Sequence, residues 1–579
     1  MTIETVWRIS RDEASARGGM VAAKTAPAAA AGIETLRRGG NAVDAAVVTA
    51  FAAGVAEPWM NGLGGGGYMV VHRPGDEPSV VEYPMVAPSA ATPEMFPLSG
   101  GTADTALFGW PAVVDQANIA GYAAIAIPGT VAGLALALDR FGTIPLADAV
   151  APAIALAIDG VPVSWHTTLT IARDLATLRK FATTAAIFLD ANGNPPVTIE
   201  PARPAILHQP DLAEALTTIG REGARTFYDG ALAKQMVEYL RVHGAIVDRA
   251  DFAGYAASIV PALTTDYRGH QIATVGGGTG GTTLVESLHL IEALGVADLA
   301  HNSPRALHAM TQAFRQAFAD RFAYLADPTL VEVPVDVLTD RAYATEQSGR
   351  FGAGMLRAVG AGTPERLGVG HGLTSSVPEY TAGSHQMASG STTHLGVIDR
   401  DGMAVSLTQT LLSLWGSRVT VPGTGILLNN GMMWFDPEPG RPNSVAGGKR
   451  PLSNMAPALV MRDGQIVASL GSSGGRRIMN CNAQLILNLV DRGMTIQEAI
   501  SAPRIDASEV KLLMSARIPD STRNALTELG HRVQVHDETS FTGGFASPVG
   551  IVKMADGTFR GGADPFYAPA TAIGAELLP

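Results

Sequence analysis

STTHLGVIDRDGMAVSLTQT, residues 391–410, decides the fold. It divides into two strand-like runs, THLGVIDRDG and MAVSLTQT, meeting at the turn Arg400-Asp401-Gly402. A second pair of runs, PALVMRDGQIVASLG, repeats the arrangement around Asp463-Gly464. The first pair starts where AGTPERLGVGHGLTSSVPEYTAGSHQMASGS (361–391) ends, a Gly-, Ser- and Thr-rich stretch with little apolar periodicity. That composition suits a flexible linker or a cleavage region. A cut before Thr392 would give one residue both a hydroxyl nucleophile and a free α-amine to serve as its base.

Upstream the pattern is helical. AAAAGIETLRRGG and NAVDAAVVTAFAAGVAE read as two helices, followed by a glycine loop and the strand YMVVHR. From about 130 to 350 amphipathic helices dominate, among them LADAVAPAIALAIDG and PRALHAMTQAFRQAFADRFAYLAD. Gln116 to Leu138 carries no charge, but Pro128-Gly129-Thr130 interrupts it, so a strand, a turn and the helix VAGLALALDRFG are expected rather than a membrane span.

The 579 residues are 46% hydrophobic and 16% charged, which places the chain among globular proteins with a deep core. Forty-one Lys and Arg against 53 Asp and Glu leave a net charge of −12. Nucleic acid and anionic membrane are therefore poor partners. A lone cysteine, Cys481, excludes a disulfide framework or a multi-cysteine metal site and reads as a buried, inert thiol. The N-terminal MTIETVWRISRDEASARGG lacks an apolar signal core, and a cytoplasmic location is expected.

Three glycine motifs compete for attention. GLGGGG (62–67) precedes a strand instead of following one, so a tight turn suits it better than a dinucleotide site. GGGTGG (276–281) does stand between a strand and a helix, but no P-loop lysine follows. GSSGG (471–475) matches a serine nucleophile elbow at Ser473, with His531 and His536 downstream. The alternating βα series that such a hydrolase sheet requires does not precede it.

Taken together, GGNAVDAAV (39–47), EPWMNGLGGGGYMVV (57–71), IPGTVAGL (127–134), RFGTIPL (140–146), ADRFAYLADP (319–328), residues 392–410, GILLNN (425–430), KRPLSNMAP (449–457) and GSSGGRRI (471–478) resemble the γ-glutamyltransferase family of N-terminal nucleophile hydrolases. The resemblance runs from about residue 19 to the C-terminus. It implies an α+β protein with a four-layer αββα fold, made as a precursor that cuts itself between Ser391 and Thr392. Residues 1–391 would form the large fragment and 392–579 the small one, paired as a heterodimer whose further oligomerisation is left open.

By the same resemblance Thr392 is nucleophile and base, Thr410 orients it, and the N–H groups of Gly474 and Gly475 form the oxyanion hole. A free α-amine titrates near ~8, so a neutral fraction is available at neutral pH. No metal or cofactor is implied, and a small-molecule amide with water as acceptor is the expected reactant pair.

The recognition residues depart from the family. Pro93 stands where an arginine for the γ-glutamyl carboxylate is expected, and Trp434 where an acid for its ammonium is expected. Leu412 replaces an asparagine, Gly431 a glutamine, and Asn454 the second of a serine pair whose first member is Ser453. The segment FDPEPGRPNSVAGGK (435–449) is shorter than in lidded members, which suggests an open cleft walled by Met432, Met433, Trp434 and Trp415. Losing two charge-assisted anchors makes a γ-glutamyl group hard to recognise. Family branches with such features include cephalosporin acylases and oxamate amidohydrolase, so the expectation is an amidohydrolase acting on another amide. A genuine γ-glutamyltransferase or glutathione hydrolase is the first alternative, a serine hydrolase using Ser473 the second, and an unprocessed binding relic the last.

Overall fold

The computed structural model describes residues 9–100, 110–352, 354–356, 359–362, 391–539 and 544–576. Most of the expected linker, 363–390, lies outside these. Two seven-stranded, wholly antiparallel sheets carry the fold. The first runs, edge to edge, β1 (Ala14–Ala16), β18 (Phe559–Ala563), β17 (Ser547–Lys553), β13 (Gln465–Ser473), β12 (Ala458–Arg462), β9 (His270–Thr274) and β8 (Leu263–Tyr267). The second runs β19 (Thr571–Gly574), β2 (Gly19–Ala23), β10 (Thr393–Asp399), β11 (Ala404–Thr410), β3 (Gly66–His72), β4 (Ser79–Tyr83) and β7 (Ser258–Pro261). Short accessory strands form two more sheets, β5 (Val161–Pro162) with β6 (Ile206–Leu207), and β14 (Ile505–Asp506) with β15 (Leu512–Ser515) and β16 (Val533–His536).

The central strands β10, β11 and β3 are buried along their whole length because both of their faces are covered. On the outer side of the second sheet, Val397, Val405 and Leu407 pack with α1 (Ala26–Arg37) and α2 (Ala42–Ala56). An Asn41–Asp44 capping box starts α2, and the Asp399 carboxylate accepts the Ala42 N–H at 2.9 Å, tying the helix to the end of β10. Outside the first sheet, Ala468 and Leu470 pack with the helices Gly280–Ala293, Pro304–Tyr324 and Arg477–Val490. Met20, Tyr68, Ile398, Leu459 and Ile551 fill the space between the sheets. Helices, sheet, sheet and helices make the four αββα layers.

Alternation settles which side chains reach the inter-sheet space. Leu395 and Val397 of β10 face α2, so Thr392, His394 and Gly396 face the opposite sheet. Ser406 Oγ donates across the gap to the Leu470 carbonyl at 3.0 Å, and Ser469 Oγ returns a bond to the Val405 carbonyl at 2.7 Å.

One expectation changes. The uncharged 116–138 stretch contributes no strand; 3₁₀ turns at Val114–Gln116 and Tyr122–Ala124 lead to the helix Thr130–Phe141. Its backbone makes an isolated bridge between Val86 and Ile127. Cys481 is buried, and desolvation raises its pKa. Among the described residues no helix is long and apolar enough to cross a membrane.

Candidate active site

Thr392 stands at the entrance to β10, 2% exposed, inside a knot of hydroxyl and backbone groups. Its hydroxyl contacts the carbonyl oxygen of Ser391 and lies 3.3 Å from Thr410 Oγ1. Thr410 Oγ1 in turn donates to the same Ser391 carbonyl at 2.9 Å and accepts the Leu412 N–H at 2.8 Å. The Ser391 hydroxyl closes the knot on the Leu412 carbonyl. Leu412 holds these positions with φ at +93°, a conformation a γ-branched side chain rarely adopts. Such backbone strain, of order 1–3 kcal/mol, persists only where surrounding contacts over-determine it.

The strand opposite brings up the glycine turn. A Cβ on Gly396 would meet Ser469, and one on Gly471 would meet the His394 ring, which fixes the pairing of β10 and β13 across the gap. Continuing that pairing by two residues along each strand directs Thr392 towards Ser473, from which the Gly474–Gly475 turn follows. Gly474 has φ +148° and Gly475 φ +61°. A Cβ on Gly474 would sit 2.6 Å from Ala546 Cα, so only glycine fits this turn. The turn opens the helix Arg477–Val490, whose first two N–H groups donate to the Gly474 and Gly475 carbonyls, so the N–H groups of the two glycines themselves are the candidate donors. Donors of this kind can stabilise a developing oxyanion.

The Ser473 elbow loses its context. It ends a strand of an antiparallel sheet, and its hydroxyl lies 3.4 Å from the Ser547 carbonyl. His531 instead pairs with His308 at 2.8 Å, and His536 meets Phe545 edge-on.

Ser453 and Asn454 are buried and sit on a guanidinium. Arg321 Nη2 donates to the Ser453 carbonyl at 2.6 Å and to Asn454 Oδ1 at 3.0 Å, while Nη1 reaches the Thr279 carbonyl at 2.9 Å. Burial without a facing carboxylate lowers the Arg321 pKa to about 9. The Ser453 N–H donates to Gly278 and the Gly280 N–H to Met455, so GGGTGG packs directly against this segment. A Cβ on Gly280 would strike the Asn454 carbonyl. These glycines serve close backbone approach, which accounts for their number without a nucleotide.

Of the expected open cleft, the structure shows a covered wall. Leu412, Met432, Met433 and Trp434 are all buried and pack together in the inter-sheet core. The Trp434 carbonyl accepts from Asn443 Nδ2 at 2.7 Å and Trp110 Nε1 at 3.3 Å, which ties the 435–449 segment down over them. Trp415 leaves this group. It packs against Trp59 and Phe188 at ring distances of 5.9 and 4.7 Å, in a separate cluster, because its φ of +64° turns the chain away. Pro93 is half-buried in a turn spanning Thr92–Met95, between Ala91 and Phe96, which join the same core as Trp434.

Three further residues escaped the sequence reading. Glu57, at the end of α2, accepts from Thr393 Oγ1 at 2.9 Å and from the Tyr567 hydroxyl. Desolvation raises its pKa. His394 Nδ1 pairs with Thr408 Oγ1 at 2.8 Å, and burial lowers its pKa to about 3, so the ring is neutral. Lys24 is fully enclosed beneath Tyr567. Lys24 stands alone in an apolar run, while Glu57 and His394 lie within the blocks 57–71 and 392–410, where nothing local sets either apart.

The family model described as Gamma-glutamyltranspeptidase matches residues 28–572. The Acylase ACY 1 proenzyme of Pseudomonas sp. (strain SE83) is 35% identical over 90% of this chain and 88% of its own length. The Glutathione hydrolase proenzyme of Escherichia coli (strain K12) is 32% identical over 95% of this chain and 90% of its own. Among solved structures, the cephalosporin acylase of Bacillus halodurans superposes with a TM-score of 0.84 at 25% identity, covering 100% of this chain and 99% of that one.

Proposed function

The chain belongs to the γ-glutamyltranspeptidase family and is an amide-bond hydrolase of it; on that premise we propose that Thr392 is the nucleophile and that the substrate is an amide other than a γ-glutamyl peptide. The observation that most directly supports the first half is the contact of the Thr392 hydroxyl with both Thr410 Oγ1 and the carbonyl of the bond to be cut.

In self-cleavage Thr392 Oγ1 attacks the Ser391 carbonyl carbon, the bond to the Thr392 nitrogen breaks, and that nitrogen takes up the hydroxyl proton. Water then hydrolyses the resulting ester, leaving Ser391 as a carboxylate and Thr392 with a free α-amine. Fragments of residues 1–391 and 392–579 result. In turnover the α-amine accepts the Thr392 hydroxyl proton while Oγ1 attacks the substrate carbonyl. Thr410 holds Oγ1 in line, and the N–H groups of Gly474 and Gly475 bind the oxyanion. The amine leaves with the proton, and water releases the acid from the acyl ester.

The second half of the reading rests on the residues at the two anchor positions. Pro93 and Trp434 supply no charge where a glutamyl group needs an arginine and an acid, and the acylase relative makes a non-glutamyl acyl group a natural candidate. Each missing charged bond is worth roughly 1.5–3 kcal/mol. A chromogenic γ-glutamyl anilide is therefore expected to turn over on the order of 10²–10⁴ less efficiently than the preferred amide in a panel of glutaryl, oxamate and simple acyl amides. Efficient turnover of glutathione would replace this reading with the glutathione hydrolase one, which the Escherichia coli relative favours.

A further inference from the structure

Lys24 follows β2 directly and is 1% exposed. An ammonium has three donors and no acceptor. Two of the three go to Ser547, one to its hydroxyl and one to its carbonyl at 3.3 Å. The third side of the ammonium faces the Tyr567 ring, 3.8 Å from its centroid. The ammonium is thus fully used, which is what burial of a charge requires.

What these partners hold is the point. Ser547 pairs with Ser473 in the β13–β17 ladder and its carbonyl faces the Ser473 hydroxyl, so it supports the strand end from which Gly474 and Gly475 turn. Tyr567 donates its hydroxyl to Glu57, and Glu57 accepts the hydroxyl of Thr393, the residue next to the nucleophile. One buried cation therefore touches, through two short chains of contacts, both halves of the centre.

We propose that Lys24 is a positioning residue for the Thr392 reaction, fixing the oxyanion turn through Ser547 and the nucleophile through Tyr567, Glu57 and Thr393. The inference rests on Thr392 as nucleophile. Deprotonation of Lys24 removes one donor and the cation facing the ring, so the clamp holds only while Lys24 is charged. Desolvation lowers its pKa to about 8, against the carboxylates of Asp564 and Glu57, which raise it; Arg11 opposes them, and Cys481, His166 and His394 also face it. Below about pH 8 the clamp is engaged, and above it the clamp is lost.

The test uses the processed full-length protein and an alkyl fluorophosphonate, which needs no knowledge of the substrate. Thr392 Oγ1 attacks phosphorus, fluoride leaves and the α-amine takes the proton; mass spectrometry locates the adduct. The labelling rate of wild type should rise as the α-amine deprotonates and fall again on the alkaline side as Lys24 loses its proton. Lys24→Arg should keep the rate within about threefold and lose the alkaline fall, since arginine stays charged. Lys24→Met should label on the order of 10–10²-fold more slowly, without the alkaline fall. Either folded variant decides the matter, so failure of one to fold leaves the other. An alkaline fall that persists in a folded variant labelled at Thr392 overturns the inference alone. Wild-type label on Ser547 would make Lys24 that serine's base and overturns it too, and absence of label from Thr392 removes the nucleophile reading beneath it.

Discussion

The two walls of the inter-sheet space are built on different principles. Around Thr392 the working parts are hydroxyls and backbone groups at strand ends: Thr410, the Ser391 and Leu412 carbonyls, and the Gly474–Gly475 turn. Around Trp434 they are large apolar side chains packed as core, with Ser453 and Asn454 held from behind by Arg321. The first wall is fixed by strand register and by φ values that tolerate little change, so it sets the type of reaction. The second is a set of tightly packed apolar side chains with no charge among them.

If that division is right, substitutions in the first wall remove chemistry and those in the second alter stability or preference. The largest effect is expected from Thr392→Ala, which should leave a single uncut band on a denaturing gel and no turnover. Gly474→Ala comes next. A Cβ there meets the Ala546 backbone, and displacing the turn should lower kcat by about 10²–10³ with little change in KM. Thr410→Val, which keeps the shape and removes the hydroxyl beside Thr392, should lower kcat by about tenfold to a hundredfold. Trp434→Asp places a carboxylate in the buried wall, and its result should be a loss of thermal stability of about 3 kcal/mol or more instead of a new γ-glutamyl activity. Ser473→Ala should change turnover least, by less than about threefold, because Ser473 only shares a carbonyl contact with Ser547.

Acid should separate the walls as well. His394 packs over Gly471, one pairing back from Thr392 along the two strands, with its pKa lowered to about 3 by burial; His289 and His531, lowered to about 4 and about 3, lie elsewhere in the fold. Unfolded histidines take a proton below about pH 6.5, whereas these three stay neutral in the fold. Their stabilisation is therefore full above about pH 6.5 and is lost as pH falls towards their folded values, by at most about 1.4 kcal/mol per histidine per pH unit. Thermal melts from about pH 7 down to about pH 4 should show a falling Tm, and His394→Gln should flatten part of the slope.

Much of the first wall could be read from sequence because its signals are local. The β10–β11 and β12–β13 hairpins, α1, α2 and the glycine turn each declare themselves within twenty residues. The partners that hold them do not. Lys24 and Ser547 are 523 positions apart, Thr393 and Glu57 are 336 apart, and Arg321 reaches Ser453 across 132. No periodicity links such residues; only closure of the two sheets brings them together. The wall at Trp434 was legible as apolar but not as buried, because burial there depends on Asn443 and Trp110 folding over it.

Thr392 can serve as both nucleophile and base only where the chain is cut before it. Intact-mass measurement of the purified wild-type protein should find two fragments, residues 1–391 and 392–579, with Thr-Thr-His at the start of the smaller. A fully active protein recovered as one uncut chain would contradict it, since an internal Thr392 has no free amine to act as base.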